Sequence, residues 1–69
     1  MTPQRYITDR LAEGAKLTHV VGELAAITTA SERTVWRWVK GSGVPTDAAL
    51  KLISVWYRLT SQERQKAGL

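Results

Sequence analysis

Two arginines and a lysine are spaced so that they lie on one side of a helix. Arg33 and Arg37 are four residues apart, and Lys40 follows three residues later. At about 3.6 residues per turn, all three side chains project from one face. Guanidinium groups bind guanine edges or phosphate, and an ammonium group suits phosphate. Because only Glu32 lies close enough to relieve this positive charge, the pattern favours contact with a polyanion over a merely solvated face.

The composition agrees with a small basic domain. Ten Lys and Arg against six Asp and Glu give a net charge of +4, which favours polyanions but also suits ordinary solubility. The absence of cysteine and the single histidine, His19, argue against a disulfide framework and a metal cluster. No segment resembles a signal peptide or a membrane span. We expect one cytoplasmic domain over residues 1–69, without a cofactor, a small-molecule ligand or a membrane partner.

The hydrophobic pattern predicts an all-α fold, a compact bundle of about five short helices. Apolar residues recur at helical spacing between capping signals, and no segment alternates as a strand would. In the third helix, Val35, Trp38 and Val39 should face the core. In the fourth, Ala49, Leu50, Ile53, Trp56 and Tyr57 form the expected buried stripe. The helices should begin after Thr2, at the caps Thr18, Ser31 and Thr46 and at the capping box Thr60–Glu63, and end near Gly14, Thr28 or Thr29, Gly41 and Gly68.

Trp36 does not fit this inward face. It cannot share the core side with both Val35 and Trp38 unless the helix is buried nearly all round, so we expect its indole to be exposed. An exposed indole could pack on thymine methyls and sugar or against a protein partner, and partial burial is the remaining alternative.

The segment from Val21 to Lys40 carries the most specific pattern. A Leu-Ala pair precedes a tight turn, and a Ser-x-x-Thr-Val-x-Arg-Trp run follows it. This pattern resembles the helix-turn-helix of phage Cro and repressor-type (XRE-like) transcriptional regulators. The resemblance covers roughly residues 17–57. The residues that match the family pattern are Leu24, Ala25, Ala30, Ser31, Thr34, Val35, Arg37, Trp38, Gly41, Pro45, Thr46, Leu50 and Ile53.

Three features depart from the family pattern. Thr29 occupies the turn position usually held by glycine, where a β-branched residue resists a left-handed backbone, so a distorted turn is expected. Thr28 stands where the family prefers a large apolar residue. The stretch 17–24 is about two residues longer than usual, so the second helix could begin differently.

The resemblance implies a sequence-specific DNA-binding transcriptional regulator, a phage or bacterial repressor. It would bind an inverted-repeat operator as a homodimer, with the helix Glu32–Lys40 in the major groove. Arg37 would contact guanine and Lys40 phosphate. Ser31 either caps the helix or also donates to phosphate. Glu32 either reads cytosine, satisfies the helix N-terminus or pairs with Arg33. The DNA-contacting residues would be Ser31, Glu32, Arg33, Thr34, Trp36, Arg37 and Lys40.

Other functions stay open. An excisionase-like DNA-bending protein would also be small, basic and helical, and a helical protein-interaction module of antitoxin or inhibitor type could use the face around Trp36. Trp56, Tyr57 and Leu59 exceed what one thin core needs, which indicates either a homodimer interface or ordinary core filling. An enzyme is not expected, because the sequence has no phosphate loop, metal cluster or nucleophile–base pair.

Overall fold

The computed structural model describes the backbone of residues 1–67 and the side chains of residues 1–61 and of Glu63. This part of the chain is all-helical, as predicted, and contains no strand. Within it lie four helices rather than about five: α1 (Pro3–Ala12), α2 (Leu17–Thr28), α3 (Glu32–Lys40) and α4 (Asp47–Ala67).

The fourth and fifth predicted helices are one continuous helix. The Thr60 hydroxyl donates to the Trp56 carbonyl at 2.8 Å, and the Ser61 hydroxyl donates to the Arg58 carbonyl at 3.1 Å. These bonds point back along the helix, as is usual for a hydroxyl inside one. No Gly or Pro interrupts residues 47–67. The prediction of a new helix at Thr60 is therefore wrong, and its predicted end at Gly68 lies outside the described residues.

Side chains cap three of the four helix starts, as the sequence predicts. Thr2, Ser31 and Thr46 each accept a hydrogen bond from the backbone N–H three residues later, at 3.1–3.2 Å. The prediction for α2 is wrong, because this helix begins before Thr18 with Lys16 at the cap position and without a side-chain cap. A capping hydroxyl therefore marks three of the helix starts, although Thr18 and Thr60 show that a hydroxyl alone does not begin a helix.

Two glycines end helices in the same way. Gly14 and Gly41 have φ values of 97° and 76°, in the left-handed region that favours glycine. The residue after each glycine donates its N–H to the carbonyl five positions earlier, at 3.1 and 2.9 Å. This Schellman arrangement satisfies carbonyls that the helix end would otherwise leave free. It confirms the predicted ends of α1 near Gly14 and of α3 at Gly41.

The four helices share one hydrophobic core. α2 packs against each of the other three and supplies three fully buried side chains. α3 supplies two buried residues, Val35 and Trp38, of which only Val35 is fully buried, so its position depends on its neighbours. Trp56 was predicted to be buried but is 46% exposed, at the edge of the core-facing side of α4, about 60° around the helix axis from Ile53. The core consists of Tyr6, Ile7, Val20, Val21, Leu24, Val35, Trp38, Ala49 and Ile53.

Candidate nucleic-acid interface

A three-residue turn joins α2 to α3. Thr29 has φ 59° and ψ 15°, so it adopts the left-handed backbone that glycine usually provides at this position, and the expected distortion of the turn is not found at this residue. The buried Thr28 hydroxyl donates to the Leu24 carbonyl at 2.7 Å and accepts from the Ala30 N–H at 3.4 Å. A polar residue thus fits at the buried position 28 because its hydroxyl is hydrogen-bonded to the backbone.

The inner side of α3 is anchored at several points. Val35 and Trp38 are buried in the core, and the Gln4 side-chain amide of α1 donates to the Trp38 carbonyl at 2.8 Å. The loop after α3 lies close to the helix, since a Cβ at Gly43 would stand 3.4 Å from the Cβ of Arg37. These contacts hold a helix of nine residues that would be only marginally stable alone.

The outer side of α3 carries the three predicted cations. Arg33, Arg37 and Lys40 are all exposed, and we call them the basic face. None of their side chains forms an ion pair or a hydrogen bond with a described residue. The structure thus confirms that these three predicted site residues are exposed on α3.

The first turn of α3 holds the remaining polar residues of the predicted site. Ser31 and Glu32 are exposed, and Thr34 is half-buried. The Ser31 hydroxyl accepts from the Thr34 N–H and lies 3.0 Å from the Thr34 hydroxyl. This confirms the capping role of Ser31, while a contact of either hydroxyl with phosphate stays a prediction.

The expectation that the Trp36 indole is exposed is wrong. The indole is half-buried and packs against the core, as the alternative of partial burial allowed. Trp36 lies about 100° around the helix axis from Val35, at the edge of the buried face. A large ring at such an edge can contact the core on one side and solvent on the other.

Acidic residues are concentrated at the junction of α1 and α2. Arg10 donates two hydrogen bonds to the two oxygens of Glu23, at 3.0 and 2.8 Å, and a third to Glu13 at 2.8 Å. The Tyr6 hydroxyl donates to Glu23 at 2.9 Å. Burial by itself would raise the pKa of Glu23, but the hydrogen bonds from Arg10 and Tyr6 outweigh it, and the pKa lies below its ordinary value.

This cluster changes the charge balance of the surface. Asp9 accepts from the Tyr57 hydroxyl at 2.9 Å, so three of the chain's six acidic residues, Asp9, Glu13 and Glu23, are engaged on α1 and α2. The basic face therefore keeps its positive charge. Sequence reasoning missed the cluster, and only the three-residue spacing of Arg10 and Glu13 could have indicated part of it.

Other kinds of site have little support in residues 1–67. His19 is exposed, with its Nε2 atom 4.0 Å from a Glu23 oxygen, in agreement with a surface histidine. Among the residues described, no group of three or more His, Cys, Asp or Glu side chains could hold a metal ion. Within the same part of the chain, no helix has the length and apolar character needed to cross a membrane.

Comparisons of the chain with protein-family models, curated proteins and solved structures give no match. A function therefore has to be inferred from the geometry and charge of the described residues. The most distinctive feature is an anchored helix whose outer side carries three cations that have no partner among the described residues.

Proposed function

We propose that this protein is a sequence-specific DNA-binding transcriptional regulator. In this proposal α2, the turn 29–31 and α3 form a helix-turn-helix, and α3 enters the major groove. The observation that carries the proposal is the basic face: three exposed cations without an acidic partner among the described residues, on a helix whose other side is anchored in the core. A duplex offers such cations phosphate oxygens and guanine edges.

The dimensions of α3 suit the major groove. An α-helix with its side chains is about 10–12 Å across, and the groove is about 12 Å wide. Arg37, in the middle of the basic face, would form a bidentate contact with guanine, and Lys40 at the helix end would contact phosphate. Arg33 would contact either guanine or phosphate. Because the cap, the Schellman ending and the Gln4 hydrogen bond already order α3, binding would require little further ordering of the backbone.

The remaining predicted contacts surround this face. Ser31 and Thr34 would donate hydroxyl protons to phosphate, and Glu32 would accept from a cytosine amino group. The solvent-facing part of the Trp36 indole would pack against thymine methyls or sugar. Its core-facing part would hold the ring in place.

A homodimer follows from the small reading length of α3. One short helix contacts only a few base pairs, and two copies about 34 Å apart on an inverted repeat would multiply the specificity. Occupying a promoter in this way would make the protein a repressor of the phage or bacterial type that the sequence resembles.

The test begins with selection of bound sequences from random duplex DNA, for which we expect a two-fold symmetric consensus. Mobility shifts on this operator then compare wild type with Arg37→Ala. We expect Arg37→Ala to lower specific affinity by about 1–3 kcal/mol, or roughly 5- to 150-fold. Arg58→Ala is the matched control, because it removes an exposed arginine of α4. If wild type and Arg37→Ala bind the operator and random duplex equally, the recognition role is wrong.

Salt dependence separates the two types of contact. Lys40→Ala should weaken binding to all sequences similarly and reduce the salt slope by about one counterion, whereas Arg37→Ala should also relax base preference at one position of each half-site. Identical effects of the two substitutions on sequence preference would contradict these assignments.

A protein-interaction module remains the second candidate, because exposed apolar side chains line part of α4. In that case the protein would co-purify with a different protein and show no salt-dependent retention on DNA. If the DNA-binding proposal is correct, the protein should be retained on DNA, and this retention should weaken as the salt concentration rises.

A further inference from the structure

Four large apolar side chains of α4 remain exposed in the monomer. Leu52, Val55 and Trp56 are 45%, 43% and 46% exposed, and Leu59 is 74% exposed. Their spacing of three, one and three residues places them along one side of the helix, and we call them the α4 stripe. A row of this kind on a small protein is typical of an interaction surface.

The hydrophobic core of the monomer does not use this side of α4. Ala49 and Ile53 are buried, and Tyr57 packs against the core. The helix continues to Ala67 and, at 21 residues, is about 31 Å long, close to the 33 Å longest dimension of the molecule. Leu59 is the most exposed of the four stripe residues.

We propose that a second copy of this chain covers the α4 stripe, with the two α4 helices antiparallel about a two-fold axis between Val55 and Trp56. The stripe is self-complementary in this arrangement. Leu52 of one copy lies opposite Leu59 of the other, and Val55 lies opposite Trp56. In an isologous dimer both copies use the same patch, so the patch has to be complementary to itself. A patch that binds an unrelated partner does not need this property. The dimer deepens the proposed function, since binding to an inverted repeat rests on such symmetry.

The area of the stripe is compatible with a dimer core. Its four side chains expose on the order of 400 Å² in each copy, within the range of functional apolar patches. Pairing two stripes would remove about 800 Å² of the roughly 1,200–2,000 Å² that a stable interface buries, and the flanking residues of α4 would supply the rest. Trp56, near the axis, would be the central aromatic anchor.

The flanking charges favour the antiparallel direction. Lys51 is exposed near one end of the α4 stripe, and Glu63 is exposed near the other. Antiparallel pairing places Glu63 of each copy within about one helical turn of Lys51 of the other when measured along the helix axis, whereas parallel pairing would place like charges at the same level.

The first test compares the oligomeric state of wild type, Leu59→Arg and Leu11→Arg by sedimentation equilibrium. Leu11 is the matched control, because it is an exposed leucine on α1, 42% exposed, and receives the same added charge. We expect wild type and Leu11→Arg at twice the 7.7 kDa chain mass, and Leu59→Arg to raise the dimer dissociation constant at least about tenfold. A monomeric wild type, or equal effects of the two substitutions, would overturn the proposal. Circular dichroism should show all three folded, because both leucines are exposed.

The second test determines the direction of pairing. The chain has no cysteine, so Leu52→Cys and Leu59→Cys each introduce a single thiol. On mild oxidation, we expect a mixture of the two variants to form a mixed disulfide. Leu52→Cys alone should not cross-link efficiently, because its two copies would be offset by about 10 Å along the helices. Preferential cross-linking of Leu52→Cys with itself would overturn the antiparallel arrangement.

Failure of the dimer and failure of the DNA-binding function can be distinguished. A monomeric wild type that binds the selected sequence specifically would overturn only the α4 interface. A dimer dependent on Leu59 that does not distinguish the selected sequence from random duplex would support the interface and contradict the regulator. Capture of a different protein by the stripe, with no dimer in its absence, would also overturn the second-copy proposal.

Discussion

At the junction of α1 and α2, the guanidinium of Arg10 is bound by Glu23 and Glu13, whereas the guanidinium of Arg37 on α3 has no described partner. The Arg10 and Glu23 side chains are only 18% and 25% exposed, so their charges are partly removed from water. Arg37 remains exposed. The difference indicates that Arg10 stabilises the fold and that Arg37 is free to contact another molecule.

The comparison of Arg10 with Arg37 also shows that the positions of the charged residues matter separately from the net charge. The +4 charge of the chain could be dispersed over the surface, as in many soluble proteins. Instead, half of the acidic residues are bonded to other side chains at or next to α1 and α2. The cations of α3 remain exposed. The position of the charge therefore supports the DNA-binding proposal more strongly than its total does.

The largest expected effect on stability is from Arg10→Ala. Removing the guanidinium leaves the carboxylate of Glu23 partly buried without its main partner, and we expect the free energy of unfolding to fall by about 2–3 kcal/mol. Arg37→Ala should change it by less than about 0.5 kcal/mol, because an exposed unpaired side chain is lost. Urea unfolding followed by circular dichroism measures both. Equal stability losses for the two variants would remove the distinction between these arginines.

We expect a smaller loss of folding stability when the pH is lowered. Because the pKa of Glu23 is lower in the folded state than its ordinary value of 4.5, the unfolded state binds a proton more readily. The stability from the Glu23 carboxylate is thus fully present above about pH 4.5 and is lost as pH falls through the folded pKa. Urea midpoints measured from about pH 6 down to about pH 3 should fall more steeply for wild type than for Glu23→Gln.

Glu32→Gln is the matched control for this pH series. It makes the same change at an exposed carboxylate on α3. If Glu23→Gln keeps the full acid dependence of the wild type, the Arg10–Glu23 pair does not contribute to stability in the expected way.

The smallest effect concerns the turn that connects the two regions. Thr29 has a left-handed backbone, which costs a β-branched residue about 1–2 kcal/mol, while glycine adopts it freely but loses more entropy on folding. We expect Thr29→Gly to stabilise the fold by about 0.5 kcal/mol in thermal unfolding and to leave DNA affinity within about twofold, because α3 should keep its position. Ala30→Gly is the control, since Ala30 has no positive φ, and this change should destabilise. A destabilised Thr29→Gly would show that the 2.6 Å hydrogen bond from the Thr29 hydroxyl to the Thr28 carbonyl, together with the entropy that glycine loses, outweighs the backbone strain.

Much of the candidate site could be predicted because its determinants are close together in sequence. The Ser31 cap, the left-handed Gly41 and the four-residue spacing of Arg33 and Arg37 are local, so they give the bounds of α3 and its charged face directly. Trp36 was harder, since a position at the edge of a helix face can be covered or exposed depending on how neighbouring helices pack.

The sequence by itself therefore determined an all-helical chain, the ends of α3 and the row of cations on its outer side, because hydrogen bonds and side-chain spacing within a few residues specify them. Only the tertiary structure decided that Arg10 meets Glu23, that Trp36 is half-buried and that Trp56 is left outside the core. These outcomes depend on the angles and distances at which separate helices pack, and no local pattern encodes those.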